Sequence, residues 1–338
     1  MRNDRYPRRG LAGAIGRLTM SRPWGQGCNV RLILHKLAAH VPFSISAWFM
    51  GQNPWRTPGP WFGGPSRVAA SFDGKAIKNM SSTSIEQFSI DVPGGQVFAK
   101  KWTPETDSGK PPLILLHDSL GSVGLWRDFP ALLAKTLARC VIAYDRLGYG
   151  HSAARDTLPS VRFIDEEASV YFPVLKHQLG IEQYVLLGHS VGGGMAIHIA
   201  AEDPDCQAVV TVAAQAFVEH LTRQGIEDAR QMFAQPGQLD RLKKWHGDKA
   251  CWVLRAWTDI WLSPEFAQWS LEPALRKVQC PVLALHGDGD EYGSAAFPEF
   301  IAEHAGGPAT AVLLDNCGHM PHREQPEEVL AALKGFLD

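Results

Sequence analysis

Gly188-His189-Ser190-Val191-Gly192-Gly193 decides the reading of this chain. A short apolar run at 184–187 stands before it, and residues 191–201 have helical spacing after it. A buried strand that runs into a helix through G-x-S-x-G implies a sharp turn. Such a turn holds its serine in a strained backbone conformation, and Gly188 and Gly192 leave room for close packing. The Ser190 hydroxyl then stands free at the end of a sheet. It also stands at a helix N-terminus, whose dipole favours developing negative charge. Ser190 is therefore the candidate nucleophile.

Outward from this turn the chain alternates strand-like and helix-like segments. Residues 86–90 and 96–102 read as a hairpin across Pro93-Gly94-Gly95. Continuous apolar runs at 112–117, 141–144, 184–187, 208–213, 282–285 and 311–314 read as strands buried on both faces. Helical spacing fills 125–137, 164–178, 191–201, 295–304 and 326–337. This predicts an α/β fold: a mostly parallel eight-stranded sheet with helices on both faces. The rhythm breaks between about 215 and 278. That stretch far exceeds an ordinary connection of about 4–6 residues. It is helix-patterned and carries Trp245, Trp252, Trp257, Trp261 and Trp269. An inserted helical cap is expected there, with Trp257 and Trp261 as candidate pocket walls.

Residues 1–79 have a different texture. They hold 12 of the 33 Lys and Arg but only two acids, Asp4 and Asp73, a net of +10 against −12 for the rest. Their most apolar part is broken by Arg31, His35, Lys36, His40 and Pro42, so a membrane span is not expected. Met80 stands directly before the first strand pattern. Residues 1–79 are thus expected to be a disordered or spurious N-terminal extension, and 80–338 the folded domain. The whole chain is 45% hydrophobic and 20% charged with a net charge of −2, an ordinary globular balance that points to no nucleic-acid partner. The six cysteines include no C-x-x-C pair. Buried free thiols are expected, which suits a reducing, cytoplasmic setting.

A serine hydroxyl is a weak nucleophile without a base. Cys317-Gly318-His319-Met320-Pro321-His322 lies after the last strand. Its loop position and the preceding glycine favour His319 as base over His322. A base needs an acid to orient it. His286-Gly287-Asp288-Gly289-Asp290 follows the preceding strand. Asp290 is the candidate acid; Asp288, flanked by glycines, suits a turn better. The segment His117-Asp118-Ser119-Leu120-Gly121-Ser122 follows the third strand. The backbone N–H groups of Ser119 and Val191 are the expected oxyanion donors.

These pieces together resemble the α/β-hydrolase family over about residues 85–338. The resemblance rests on the His117 segment, the turn Asp145-Arg146-Leu147-Gly148-Tyr149-Gly150-His151-Ser152, the elbow at Ser190, Asp290 and Gly318-His319. It implies the chain order Ser, Asp, His, no metal and no organic cofactor, and a small-molecule substrate for a monomer or homodimer. One residue departs from the family: where His-Gly is usual, this chain has His117-Asp118. An ionised Asp118 facing inward would oppose negative charge in the transition state, so it is expected to point outward or to be hydrogen-bonded away. The expected activity is hydrolysis of a small to medium apolar carboxylic ester through an acyl-enzyme. Alternatives on the same fold are a carbon–carbon bond hydrolase of ring-cleavage diketo acids, needing a pocket arginine such as Arg146, Arg255 or Arg276, and a small-molecule receptor.

Overall fold

A computed structural model describes residues 83–338, so the expectation for residues 1–79 lies outside the described residues. The strands are β1 Ser84–Val92, β2 Gly95–Thr103, β3 Leu113–Leu116, β4 Val141–Tyr144, β5 Tyr184–His189, β6 Cys206–Val212, β7 Val282–Gly287 and β8 Ala309–Leu314. They form one sheet in the order β1-β2-β4-β3-β5-β6-β7-β8. The β1–β2 hairpin joins β4 antiparallel; every later pairing is parallel.

The central strands are apolar without interruption because both faces are covered. Successive side chains point to opposite faces of a strand. Leu113 and Leu115 of β3 therefore join one core, and Ile114 and Leu116 the other. The first core is closed by α1 Phe129–Leu137 and, at the chain's end, by α11 Pro326–Leu337, through Phe129, Leu133, Val329 and Leu333. The second is closed by α2 Phe163–Glu166, α3 Phe172–Gln178, α4 Val191–Glu202 and α9 Ala296–His304, through Ile164, Phe172, Met195 and Ile301.

Two expected helices are less regular than their spacing suggested. The helix expected at 125–137 starts as a 3₁₀ turn, Val123–Trp126, before α1. The one expected at 164–178 carries a π turn, Glu167–Tyr171, between α2 and α3. Pro173 has no N–H to give the i−4 carbonyl, so the ladder must shift there. Glu167, buried in that turn, accepts a 2.6 Å hydrogen bond from the Tyr144 hydroxyl.

Between β6 and β7 lie α5 His220–Phe233, α6 Leu239–His246, α7 Ala250–Trp261 and α8 Glu272–Leu275. The two ends of this insertion are pinned to each other. Leu271 N–H donates to Ala216 O at 2.8 Å, and Phe217 pairs antiparallel with Ser270. Tryptophans tie it to the body: Trp245 packs on Gly124 under the Arg127 guanidinium, and Trp252 Nε1 donates to Thr157 O. Trp261 and Trp269 pack on Phe266 within the insertion. Cys140, Cys206, Cys280 and Cys317 are free thiols; Cys251 is not among them. No helix among the described residues is long and apolar enough to cross a membrane.

Candidate active site

β5 delivers Ser190 to the carboxyl edge of the sheet. Ser190 has φ 55° and ψ −126°, a conformation that a side-chain-bearing residue keeps only where its surroundings enforce it. The two flanking glycines show what enforces it. A Cβ on Gly188 would lie 2.1 Å from Gly192 O, and one on Gly192 would lie 2.2 Å from Leu116 O. The elbow is therefore pressed against itself and against the end of β3. Gly192→Ala is expected to cost about 3 kcal/mol or more of stability, since neither neighbour is a side chain that can swing away. A thermal melt beside the parent chain checks this; an unchanged midpoint would contradict it.

β7 delivers Asp290 and the loop after β8 delivers His319. The His319 Nδ1–H donates to the Asp290 carboxylate, 2.9 Å from Oδ1 and 2.8 Å from Oδ2. Asp290 is buried and also accepts the Tyr292 N–H at 2.7 Å. His286 Nε2 stands 3.2 Å from its Oδ2. Burial opposes the charge on Asp290, but the charge and hydrogen bond of His319, the nearby His286 and the Tyr292 N–H outweigh it, and the carboxyl is held below its usual range. Burial likewise opposes charge on His319. The Asp290 charge and hydrogen bond, with Glu291 and Asp118 adding, win there and raise it to about 9. With Nδ1 bonded to Asp290, Nε2 is the ring's remaining basic nitrogen. The competitors stand elsewhere. Asp288 is exposed in its turn and accepts the Cys317 N–H at 3.2 Å. His322 sits in α10 Pro321–Glu324, buried against Trp126, Phe129 and His189.

Ser190 and His319 line one cavity of about 480 Å³. No hydrogen bond joins them; the Ser190 hydroxyl donates instead to Gln215 Oε1 at 3.3 Å. Ser119 lines the same cavity, and neither its N–H nor that of Val191 donates to a described group. The Ser119 N–H on the cavity and the Val191 N–H next to Ser190 in the chain are both left without a partner among the described residues, as donors for a developing oxyanion need to be.

Asp118 lines this cavity too, and it is restrained. Its Oδ1 accepts the Leu120 N–H at 2.8 Å, and its Oδ2 stands 3.3 Å from His189 Nδ1. The other ring nitrogen of His189 donates to His319 O at 2.8 Å. Burial opposes the Asp118 charge, but the His189 hydrogen bond and the charges of His189 and His117 overcome it, leaving the carboxyl well below the usual carboxylate range. The loop carbonyl of Asp118 is fixed as well: Arg146 Nη2 donates to it at 2.8 Å, as does His117 Nδ1 at 2.8 Å. Asp118 is thus hydrogen-bonded, but it is not turned away as the sequence reading expects: it still lines the cavity beside Ser190.

The cavity walls are mostly apolar. Leu125, Ile226, Ala229, Met232, Trp257 and Trp261 supply them, so both pocket tryptophans singled out in the sequence stand on the cavity. The insertion contributes most of this wall and is locked to the loop that carries Asp290. Thr222 Oγ1 donates to Tyr292 O at 2.7 Å, and Glu219 accepts from the Ser294 N–H at 2.7 Å and its hydroxyl at 3.0 Å. Besides His319, the charged residues on the cavity are the acids Asp118, Asp228 and Glu291 and one arginine, Arg323. The three arginines considered from sequence are not there. Arg146 donates to the Asp118 carbonyl in the loop after β3, and Arg255 and Arg276 are exposed and paired with Asp259 and Glu272. Among the described residues no group of three or more His, Cys, Asp or Glu could hold a metal ion. Gln215 escaped sequence reading. It belongs to no motif, and its position depends on Ala213, whose φ of 51° turns the chain just after β6.

Comparison with known proteins agrees with this architecture. Residues 113–332 match the model of the alpha/beta hydrolase family. A proline iminopeptidase of Lactobacillus acidophilus is 25% identical over 271 residues, covering 68% of this chain and 91% of that protein. Among solved structures, a membrane phospholipase A superposes with a TM-score of 0.59 at 23% identity, over 75% of this chain and 86% of that one. Naproxen esterase from Bacillus subtilis superposes with a TM-score of 0.55 at 17% identity, over 76% and 92%. The sheet order, the elbow at Ser190 and the family match across 113–332 place this chain in the alpha/beta hydrolase family.

Proposed function

We propose that the chain is a serine hydrolase of small to medium apolar carboxylic esters. Ser190 is the nucleophile, His319 its base, and Asp290 the acid that fixes the His319 tautomer and stabilises its charged form. On substrate entry the Ser190 hydroxyl leaves Gln215 and gives its proton to His319 Nε2. Oγ attacks the ester carbonyl, and the Ser119 and Val191 N–H groups take up the oxyanion. His319 returns the proton to the leaving alcohol, forming an acyl-enzyme, and then activates the water that releases the acid. The carrying observation is the strained Ser190 at the wall of a mostly apolar cavity that His319, held by buried Asp290, also lines. The cavity size lies in the ordinary small-ligand range of about 300–1,000 Å³. The insertion is read as the cap that selects substrate. A diketo-acid substrate carries carboxylates, and the excess of acids over Arg323 around the cavity disfavours it.

The reading is tested with p-nitrophenyl acetate, butyrate and octanoate. Steady multiple turnover with a chain-length optimum supports it. A single slow turnover would instead fit a receptor.

The raised His319 fixes a pH dependence. The imidazolium cannot accept the Ser190 proton, so activity is absent well below the His319 midpoint and grows as the ring deprotonates. We expect kcat/KM to rise with pH through a midpoint at about 9. A pH–rate profile with saturating activity already at pH 6 would contradict this.

A further inference from the structure

We propose that Gln215 contacts substrate and selects esters that carry a second hydrogen-bond acceptor one or two bonds from the scissile carbonyl. The proposal rests on the reading of Ser190 as nucleophile. Gln215 is 5% exposed, and what surface it keeps lines the cavity beside Ser190. Its Oε1 accepts the Ser190 hydroxyl. Its Nε2 donates to no described group, yet it is not among the enclosed, unbonded polar atoms such as Trp261 Nε1 and Arg146 Nε. The amide N–H groups therefore open on the cavity. When a substrate displaces water from the cavity, these N–H groups lose their hydration, a cost that an acceptor on the substrate offsets.

The surroundings say which partner that is. The Asp118 carboxylate is taken by Leu120 and His189, and the Thr222 hydroxyl donates to Tyr292 O. The Ser119 and Val191 N–H groups belong to the carbonyl oxygen in the proposed mechanism. Ser119, Gln224, Tyr292 and Arg323 also line the cavity, but Gln215 is the side-chain donor that already touches the Ser190 hydroxyl. Its two ends are joined through one carbon, and one end already touches Ser190 Oγ. The other end is therefore within reach of an atom one or two bonds from the carbonyl that Oγ attacks. The backbone fixes this placement: Ala213 N–H donates to Leu285 O at 2.8 Å, and the positive φ at Ala213 follows immediately.

The test uses two esters of equal acyl length, p-nitrophenyl butyrate and p-nitrophenyl methoxyacetate, in which an ether oxygen replaces one methylene. The full chain is compared with Gln215→Leu and Gln215→Met. The measured quantity is the ratio of kcat/KM for methoxyacetate to that for butyrate. Taking the ratio within each protein removes differences in folded fraction, and comparing proteins removes the intrinsic reactivity of the ether ester. We expect the ratio to fall about tenfold in both variants, the worth of one hydrogen bond. A ratio within twofold of the parent in both would overturn the proposal and leave the esterase reading standing. No turnover of either ester by the parent chain would overturn both.

Discussion

Ser190→Ala should lower kcat for p-nitrophenyl butyrate by about 10⁶-fold while leaving KM within a few-fold of the parent. Removal of an activated nucleophile has about this effect in enzymes that form an acyl-enzyme, because base, acid and nucleophile act as one unit. Binding is carried by other groups: Leu125, Ile226, Met232, Trp257 and Trp261 line the cavity and are untouched by the change. The fold should also survive. The substitution keeps Cβ, and the strained φ of 55° is enforced by the packing of Gly188 and Gly192 rather than by the hydroxyl. Steady-state kinetics with a circular dichroism spectrum beside them give the answer. Turnover unchanged in Ser190→Ala would place the chemistry elsewhere in the molecule.

Asp290→Asn carries the second large effect, a fall of about 10⁴-fold in kcat. Both carboxylate oxygens of Asp290 stand within hydrogen-bond distance of His319 Nδ1. An amide at that place can offer its NH₂ instead, which turns Nδ1 into the acceptor and puts the proton on Nε2, where the ring can no longer act as base. The same substitution removes the charge that raises His319, while burial continues to lower it. The residual activity should therefore show its pH midpoint moved down from that of the parent. Asp288→Asn is the matched control. Asp288 is exposed and bonds the Cys317 backbone, so its kcat should stay within about twofold of the parent. Equal losses in the two variants would contradict the assignment of Asp290.

The sheet and the elbow were legible for physical reasons that act locally. Strands such as 112–117 and 184–187 are apolar throughout because helices cover both of their faces, and that pattern is written in consecutive residues. Gly188 and Gly192 are visible because the turn leaves no space for a side chain. Turn chemistry favours Asp290 over Asp288, and the structure separates the two by burial and by their partners. What escaped depends on contacts between distant segments. Gln215 reaches Ser190 only because the chain turns at Ala213, and no motif marks that turn. The restraint on Asp118 comes from His189, 71 residues away, so neither residue announces the other. Nothing in the sequence places Arg146, Arg255 or Arg276, and Arg146 turns out to hold the Asp118 carbonyl in the loop after β3. The π turn at Glu167–Tyr171 lies in a run whose apolar spacing reads as plain helix.

Ser190 should react as an activated nucleophile. Intact-mass measurement of the full chain after incubation with a p-nitrophenyl phosphonate ester tests it most directly, because such a reagent forms a stable adduct with an activated serine and needs no knowledge of the natural substrate. One phosphonyl adduct per chain is expected, mapped by peptide sequencing to Ser190, slowed by Asp290→Asn and absent in Ser190→Ala. An unlabelled parent chain, or an adduct that persists in Ser190→Ala, would contradict it.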